Sequence, residues 1–262
     1  MSVEVEYVMT WKVLAKSVQG SSHKRLQTVC QDACQTAVHQ VGGLPVLVLA
    51  VSDGAGSAEH SDIGSQIACR AIQERIAEKM GDQTVFSPIA QDEAVSWYEQ
   101  VRAEILREAE ARSVPIRQLA CTLLVAVIGE SGAAFCQIGD GAIVIRDEGE
   151  LRPVFWPQSG EYANTTNFVT SSRTEQDLMF QWHAGPIDDV SMFTDGLQSV
   201  ALNYATRQVH QPFFTPLLDA LRQHVDHAEL LGPLQSFLES KNLTDRTDDD
   251  LTLVLATRIN SV

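Results

Sequence analysis

The sequence predicts an α+β fold built on antiparallel sheets with helices packed outside them, and three observations carry that reading. Apolar runs rich in Val, Ile, Leu and Phe recur at strand length over residues 5–15, 44–52, 119–128, 133–138, 142–146, 189–194 and 251–258. The breaks Gly129-Glu130-Ser131-Gly132 and Asp147-Glu148-Gly149 are too short for anything but an antiparallel return. Strands and helices also fall in blocks, which argues against an alternating parallel order.

Strands 5–15 and 44–52 open the chain, and two long amphipathic helices separate the second from the third. In the first helix Ser61 can cap, and Ile63, Ile67, Ile72, Ile76 and Met80 recur at helical spacing. In the second, Val95, Tyr98, Val101 and Ile105 do the same beneath a Glu/Arg-rich face. Three strands follow, and then residues 153–186, with little periodicity and many Ser, Thr, Asn and Gln, read as a long surface excursion of a kind that is often functional. After the strand 189–194, Phe214, Leu217, Leu218, Leu221 and Val225 mark another helix, and a shorter one is expected near 234–238 before the last strand.

With 262 residues, 44% of them hydrophobic, the chain can bury a core without a disulfide or metal staple. No repeat, low-complexity tract or linker divides it, so one unit over 1–262 is expected. Its 19 basic and 34 acidic residues give a net charge of −15, a surface that repels nucleic acid and anionic lipid. The longest apolar run, 45–51, falls far short of the roughly 20 residues a bilayer crossing needs. Residues 1–10 carry two glutamates where a signal sequence would be basic and then apolar. No membrane partner and a cytoplasmic location are expected. Cys30, Cys34, Cys69, Cys121 and Cys136 form no CxxC pair, and their odd number suits reduced, mostly buried thiols.

The informative pattern is an apolar strand that runs straight into Asp-Gly, three times: Asp53-Gly54, Asp140-Gly141 and Asp195-Gly196. A fourth acidic group, Asp248-Asp249-Asp250, precedes the strand 251–258. Carboxylates gathered at the strand ends are tolerable only with bound cations or raised pKa values, and oxygen-only ligands favour magnesium or manganese. Asp-Gly is also a favoured hairpin turn, and for Asp140, with a strand directly after it, turn and ligand fit equally well. Asp53 differs, because residues 55–61 lead into a helix. The acidic triplet, taken alone, reads as a solvated turn.

Taken in order, Cys30-Gln31-Asp32, Val51-Ser52-Asp53-Gly54-Ala55-Gly56, Ala120-Cys121-Thr122, Ile138-Gly139-Asp140-Gly141, Phe193-Thr194-Asp195-Gly196 and Asp249-Asp250-Leu251-Thr252 resemble the metal-dependent serine/threonine phosphatases of the protein phosphatase 2C family, in a bacterial-type variant. The resemblance spans nearly the whole chain. It implies a four-layer sandwich of two antiparallel sheets face to face, helices outside each, and metals in a cleft at one end. It implies two manganese or magnesium ions per chain and a weaker third. Asp53 would bridge the two, the Gly54 carbonyl would bind the second, Asp195 and Asp249 would complete the first, and Asp140 with Asp195 would offer the third site. Asp32 would hold a water in the outer shell. Two ions about 3.5–4 Å apart can share a water and present hydroxide in line with phosphorus, with no covalent phosphoenzyme. The implied partner is a phosphorylated protein, a product of a serine/threonine kinase, and a monomer is expected.

Three positions depart from the family pattern. Gln31 stands where many relatives have glutamate, Gln27 where many have a phosphate-gripping arginine, and Ala55 where some have a histidine acid. His23, Lys24 or Arg25 could grip phosphate in place of that arginine, since a bacterial subgroup carries Ser-His as in Ser22-His23, and metal-bound water, His60 or His23 could serve as the acid. The segment 153–186 would form a flap with both ends near the metals, where Tyr162, Asn164 and Phe168 could recognise a protein substrate or simply anchor the loop.

A cysteine-dependent phosphatase is set aside, because Cys69 and Arg75 have its spacing but lie within a helical pattern whose N–H groups are already used. No nucleotide-binding glycine motif is present. The competing function is a phosphatase-like regulatory module that binds a phosphoprotein or kinase with little catalysis. Retention of Asp53, Asp195 and Asp249 together favours the enzyme.

Overall fold

The computed structural model describes residues 8–81, 83–157 and 166–261. Its strands are β1 (Val8–Val18), β2 (Ala33–Val41), β3 (Leu44–Ser52), β4 (Leu123–Ile128), β5 (Gly132–Ile138), β6 (Ala142–Asp147), β7 (Glu150–Pro153), β8 (Met179–Ala184), β9 (Asp189–Phe193), β10 (Leu202–Asn203), β11 (Gln208–Val209) and β12 (Leu251–Ser261). Its helices are α1 (Ser21–Leu26), α2 (Ser61–Gly81), α3 (Gln91–Arg112), α4 (Thr174–Asp177), α5 (Gln198–Ala201), α6 (Gln211–Gln223), α7 (Leu231–Leu238) and α8 (Lys241–Thr244). One sheet has the order β1-β12-β9-β6-β7 and the other β2-β3-β4-β5-β8, and all pairings within both are antiparallel.

Side-chain alternation explains the layers. Along β3, Val46, Val48 and Ala50 pack against α2 and α3, whereas Leu47, Leu49 and Val51 meet the sheet that contains β12. Along β12, Leu251, Leu253 and Leu255 pack under α6 and α7, and Val254 and Ala256 face the sheet that contains β3. Strands covered on both faces read as continuous apolar runs. Each fully buried Leu or Ile contributes about 1.5–3 kcal/mol. The result is the expected α+β architecture of helices, sheet, sheet and helices.

Local details differ from expectation. The first strand reaches Val18, and the strand expected at 119–128 begins only at Leu123. Ser61 is the first residue of α2 and no cap: its hydroxyl donates to the Ala58 carbonyl at 3.3 Å. Val225 lies beyond α6 and is 96% exposed. The β6–β7 turn, by contrast, is the antiparallel return expected at Asp147-Glu148-Gly149, with Glu148 (φ 49°) and Gly149 (φ 87°) both left-handed. Inside the expected excursion 153–186 lie α4 and the edge strand β8. Because β8 runs from Met179 beside Gln137 to Ala184 beside Gly132, the segment ends at the opposite end of the sandwich from Asp140, and it is Thr166 and Phe168, not its C-terminal end, that lie at the acidic end.

The registers bring four chain segments together. β3 and β5 end side by side with the start of β4, and β9 ends beside the starts of β6 and β12. Residues 53–54, 140–141, 195–196 and 248–250 therefore share one end of the sandwich.

Candidate metal centre

Asp53 leaves β3 alongside residues 118–122. Its N–H donates to Thr122 Oγ1 (2.9 Å), the Thr122 N–H donates to the Asp53 carbonyl (2.8 Å), and the Ala55 N–H reaches Ala120 O (2.9 Å). Asp140 sits between β5 of one sheet and β6 of the other, so Asp140-Gly141 carries the chain across the sandwich and is not a hairpin turn. The glycine after each aspartate answers to close packing: a Cβ on Gly141 would lie 2.6 Å from the Phe193 carbonyl oxygen, and one on Gly196 2.3 Å from that of Asp250.

One oxygen from each of Asp53, Asp140 and Asp195 lies within 4.8 Å of the others. Asp249 and Gly54 line the same cavity, of about 170 Å³, together with Ala55, Thr122, Thr166 and Phe168. Asp249 is exposed at its rim, outside the close trio. Thr166 Oγ1 donates to Asp140 Oδ2 at 2.6 Å, which joins the 153–186 segment to the cluster. Tyr162 and Asn164 lie outside the described residues.

Among the described residues, no Lys, Arg or His lines this cavity. Burial, and then the charges of Asp32 and Asp195, hold the Asp53 carboxyl well above its ordinary value. Burial followed by Asp140 and Asp249 pushes Asp195 up to about 6, and burial raises Asp140 and Asp249. Asp195 Oδ1 is buried and, among the described residues, receives no hydrogen bond. An all-oxygen donor set with excess negative charge and an orphaned carboxylate oxygen fits a hard divalent cation.

Asp32 is buried behind the trio, where Thr194 Oγ1 and Thr252 Oγ1 each donate to its Oδ2 at 2.8 Å. Burial outweighs those two donors and pushes its pKa up to about 8. His23, expected to grip phosphate or supply a proton, instead turns Nδ1 to within 2.9 Å of the buried Asp250 Oδ1 and does not line the cavity. Asp250 also accepts the N–H groups of Gly20 (2.7 Å) and Gln31 (2.6 Å), so it fastens the lip 20–31 to the start of β12. His60 also lies off the cavity wall. Lys24 and Arg25 are exposed, Arg25 reaching Asp248 at 3.2 Å, and Gln27 is an exposed left-handed residue at φ 56°.

The sequence reading gave no role to Thr122, Thr166, Thr194, Thr252, Asp250 or Gln198. Thr194, Thr252 and Asp250 stand within three residues of a candidate ligand, and a hydroxyl donor so close to a buried carboxylate is the available signal.

Comparison with known proteins gives a consistent placement. The family described as Protein phosphatase 2C matches residues 19–238. Serine/threonine-protein phosphatase 3 of Escherichia coli is 34% identical over 253 residues, 95% of this chain and 98% of that protein. The catalytic domain of the serine threonine protein phosphatase PstP in complex with two manganese ions superposes with a TM-score of 0.61 at 15% identity, covering 96% of this chain and 100% of that one. PppA, a regulatory component of the T6SS in Pseudomonas aeruginosa, gives 0.61 at 18% identity, with 97% and 100% covered. On the extent of these matches, the chain belongs to the protein phosphatase 2C family of serine/threonine phosphatases.

Proposed function

We propose that this chain removes phosphate from phosphoserine and phosphothreonine residues of proteins, products of serine/threonine kinases, with manganese or magnesium held at the acidic cavity. The observation that carries the reading is the convergence of Asp53, Asp140 and Asp195 oxygens within 4.8 Å, with Asp195 Oδ1 lacking a donor among the described residues. A module that only binds phosphoprotein has less need of the full carboxylate set. Asp53 would bridge two ions, with the Gly54 carbonyl on one and Asp195 and Asp249 on the other, and Asp140 with Asp195 would hold a weaker third.

Bound there, the ions would neutralise carboxylate and phosphoryl charge and lower the pKa of a shared water. The remaining work falls to the chain. Two threonine hydroxyls occupy Asp32 Oδ2, which leaves Oδ1 to orient the attacking water and accept its proton. The water oxygen forms the new bond to phosphorus as the bond to the serine or threonine oxygen breaks, the proton that Asp32 accepts returns through solvent to that leaving oxygen, and no phosphorylated residue of the enzyme is needed. Ala55 and Phe168 supply apolar walls at the cavity, and Thr166 and Phe168 bring the flap to where a protein substrate would lie.

Reduced cysteines and the absence, among the described residues, of any helix long and apolar enough to cross a membrane suit a cytoplasmic enzyme, and a monomer suffices for this site. The test is phosphate release from a phosphothreonine peptide. Hydrolysis should require Mn²⁺ or Mg²⁺, stop with EDTA and return on re-addition, and turnover unaffected by chelation would contradict the proposal.

A further inference from the structure

We propose that Arg207, presented with Trp156 and Tyr204 beside the acidic cavity, reads acidic residues flanking the phosphorylated residue of the protein substrate; the inference rests on the phosphatase reading above. A continuous line of contacts leads there from the carboxylates. Gln198 Nε2 donates to the Asp140 carbonyl, and the Tyr204 hydroxyl donates to Gln198 Oε1. The Tyr204 ring meets Trp156 edge-on with centroids 5.2 Å apart, and the Arg207 guanidinium carbon lies 5.7 Å from the Trp156 ring. Tyr204 is 53% exposed, although Asp140 and Asp195 are near enough to help raise its pKa, after burial itself.

The hairpin β10–β11 holds this group in place. Leu202 pairs with Val209 and Asn203 with Gln208, so residues 204–207 form its tip. Asn203 Oδ1 accepts the N–H groups of Ala205 (3.1 Å) and Thr206 (3.2 Å), and Arg207 closes the turn in the left-handed region at φ 54°. Among the described residues Arg207 has no carboxylate partner, whereas nearby Arg152 is committed to Asp147 Oδ2 through Nε (2.8 Å) and Nη2 (2.6 Å). Both arginines line a cavity of about 540 Å³ between the hairpin and β7.

The occupant follows from charge and reach. An extended peptide advances about 3.3 Å per residue, so with the phosphoresidue at the acidic cavity it is the residues flanking it that come to Arg207. A free guanidinium against an indole face is suited to a carboxylate, which it can take in two parallel hydrogen bonds. In a chain of net charge −15, acidic flanks would otherwise meet net repulsion.

The test uses two phosphothreonine peptides, one with Glu flanks and one with Gln at the same positions, and the wild type, R207Q and R207E. The wild type should favour the Glu peptide in kcat/KM, R207Q should lose the preference, and R207E should reverse it, a change in the ratio of roughly fivefold or more. Equal ratios in all three proteins, with Mn²⁺-dependent hydrolysis intact, would overturn the inference and leave the phosphatase reading standing. If the wild type hydrolysed neither peptide nor p-nitrophenyl phosphate, that reading would fall and the inference with it.

Discussion

Asp189 opens β9 and Asp195 follows just past its end, so one short strand presents two carboxylates to opposite ends of the sandwich. Asp189 is fully buried, yet Arg146 Nε reaches its Oδ2 at 2.5 Å, and Arg222 and Thr257 Oγ1 donate to Oδ1. Among the described residues, Asp195 faces Asp53 and Asp140 with no cationic side chain lining their cavity, and its Oδ1 has no donor. The contrast shows that a buried acid does not by itself mark a functional site. A buried acid whose charge the protein leaves unanswered is the stronger candidate.

The sharpest way to break this comparison is to neutralise one acid at each end. Asp53→Asn should lower turnover at least about 100-fold without destabilising the metal-free protein, because it relieves like-charge repulsion. Asp189→Asn should cost roughly 2–4 kcal/mol in urea denaturation, having stripped two arginines of their partner, while turnover per folded molecule is kept. The reverse pattern would mean that the two ends have been misassigned.

Next in size is a pH effect confined to the acidic end. In metal-free protein Asp32 and Asp195 keep their protons up to about 8 and about 6, against an ordinary 3.8. Between those values the native state binds more protons than the unfolded chain, so this stabilisation is fully present below 3.8 and is lost as pH rises through about 6 and then about 8. Thermal melts in EDTA at pH 5 and pH 8 should show the loss, and Asp32→Asn should reduce it. An unchanged pH profile in Asp32→Asn would remove Asp32 from the cluster.

These two ends also differ in how far the sequence reveals them. β3 and β12 were legible because both faces of each are covered, and β2 and β8 were not, because edge strands are half-exposed and mix Gln, Thr, His and Trp with small residues. The Asp-Gly strand ends announced Asp53, Asp140 and Asp195. Sequence pattern could not show that Asp249 lines the cavity while its neighbour Asp250 turns inward to Gly20, His23 and Gln31. Nor could it show that Asp32 takes its donors from Thr194 and Thr252, 162 and 220 positions away, since only the registers of β9 and β12 bring them together.

Those donors give a third, smaller test. Thr194→Val or Thr252→Val should lower turnover about tenfold, the scale of one hydrogen bond to a charged group. Both hydroxyls lower the Asp32 pKa, so losing either should move the acid limb of the pH–rate profile upward. A fall in activity with no movement of that limb would point to packing damage instead. Smaller again, Asp140→Asn should reduce turnover while calorimetry still finds two tighter ions, and unchanged turnover at limiting and saturating manganese would separate Asp140 from the chemistry.

The most direct measurement is a manganese titration of wild type and Asp195→Asn, following bound ion by calorimetry and phosphate release from a phosphothreonine peptide in the same samples. The wild type should gain activity in step with bound manganese, and Asp195→Asn should bind it at least about tenfold more weakly and remain nearly inactive at wild-type saturation. Wild-type binding and turnover in Asp195→Asn would contradict the claim that the unanswered carboxylates at this end of the sandwich are the metal site of the enzyme.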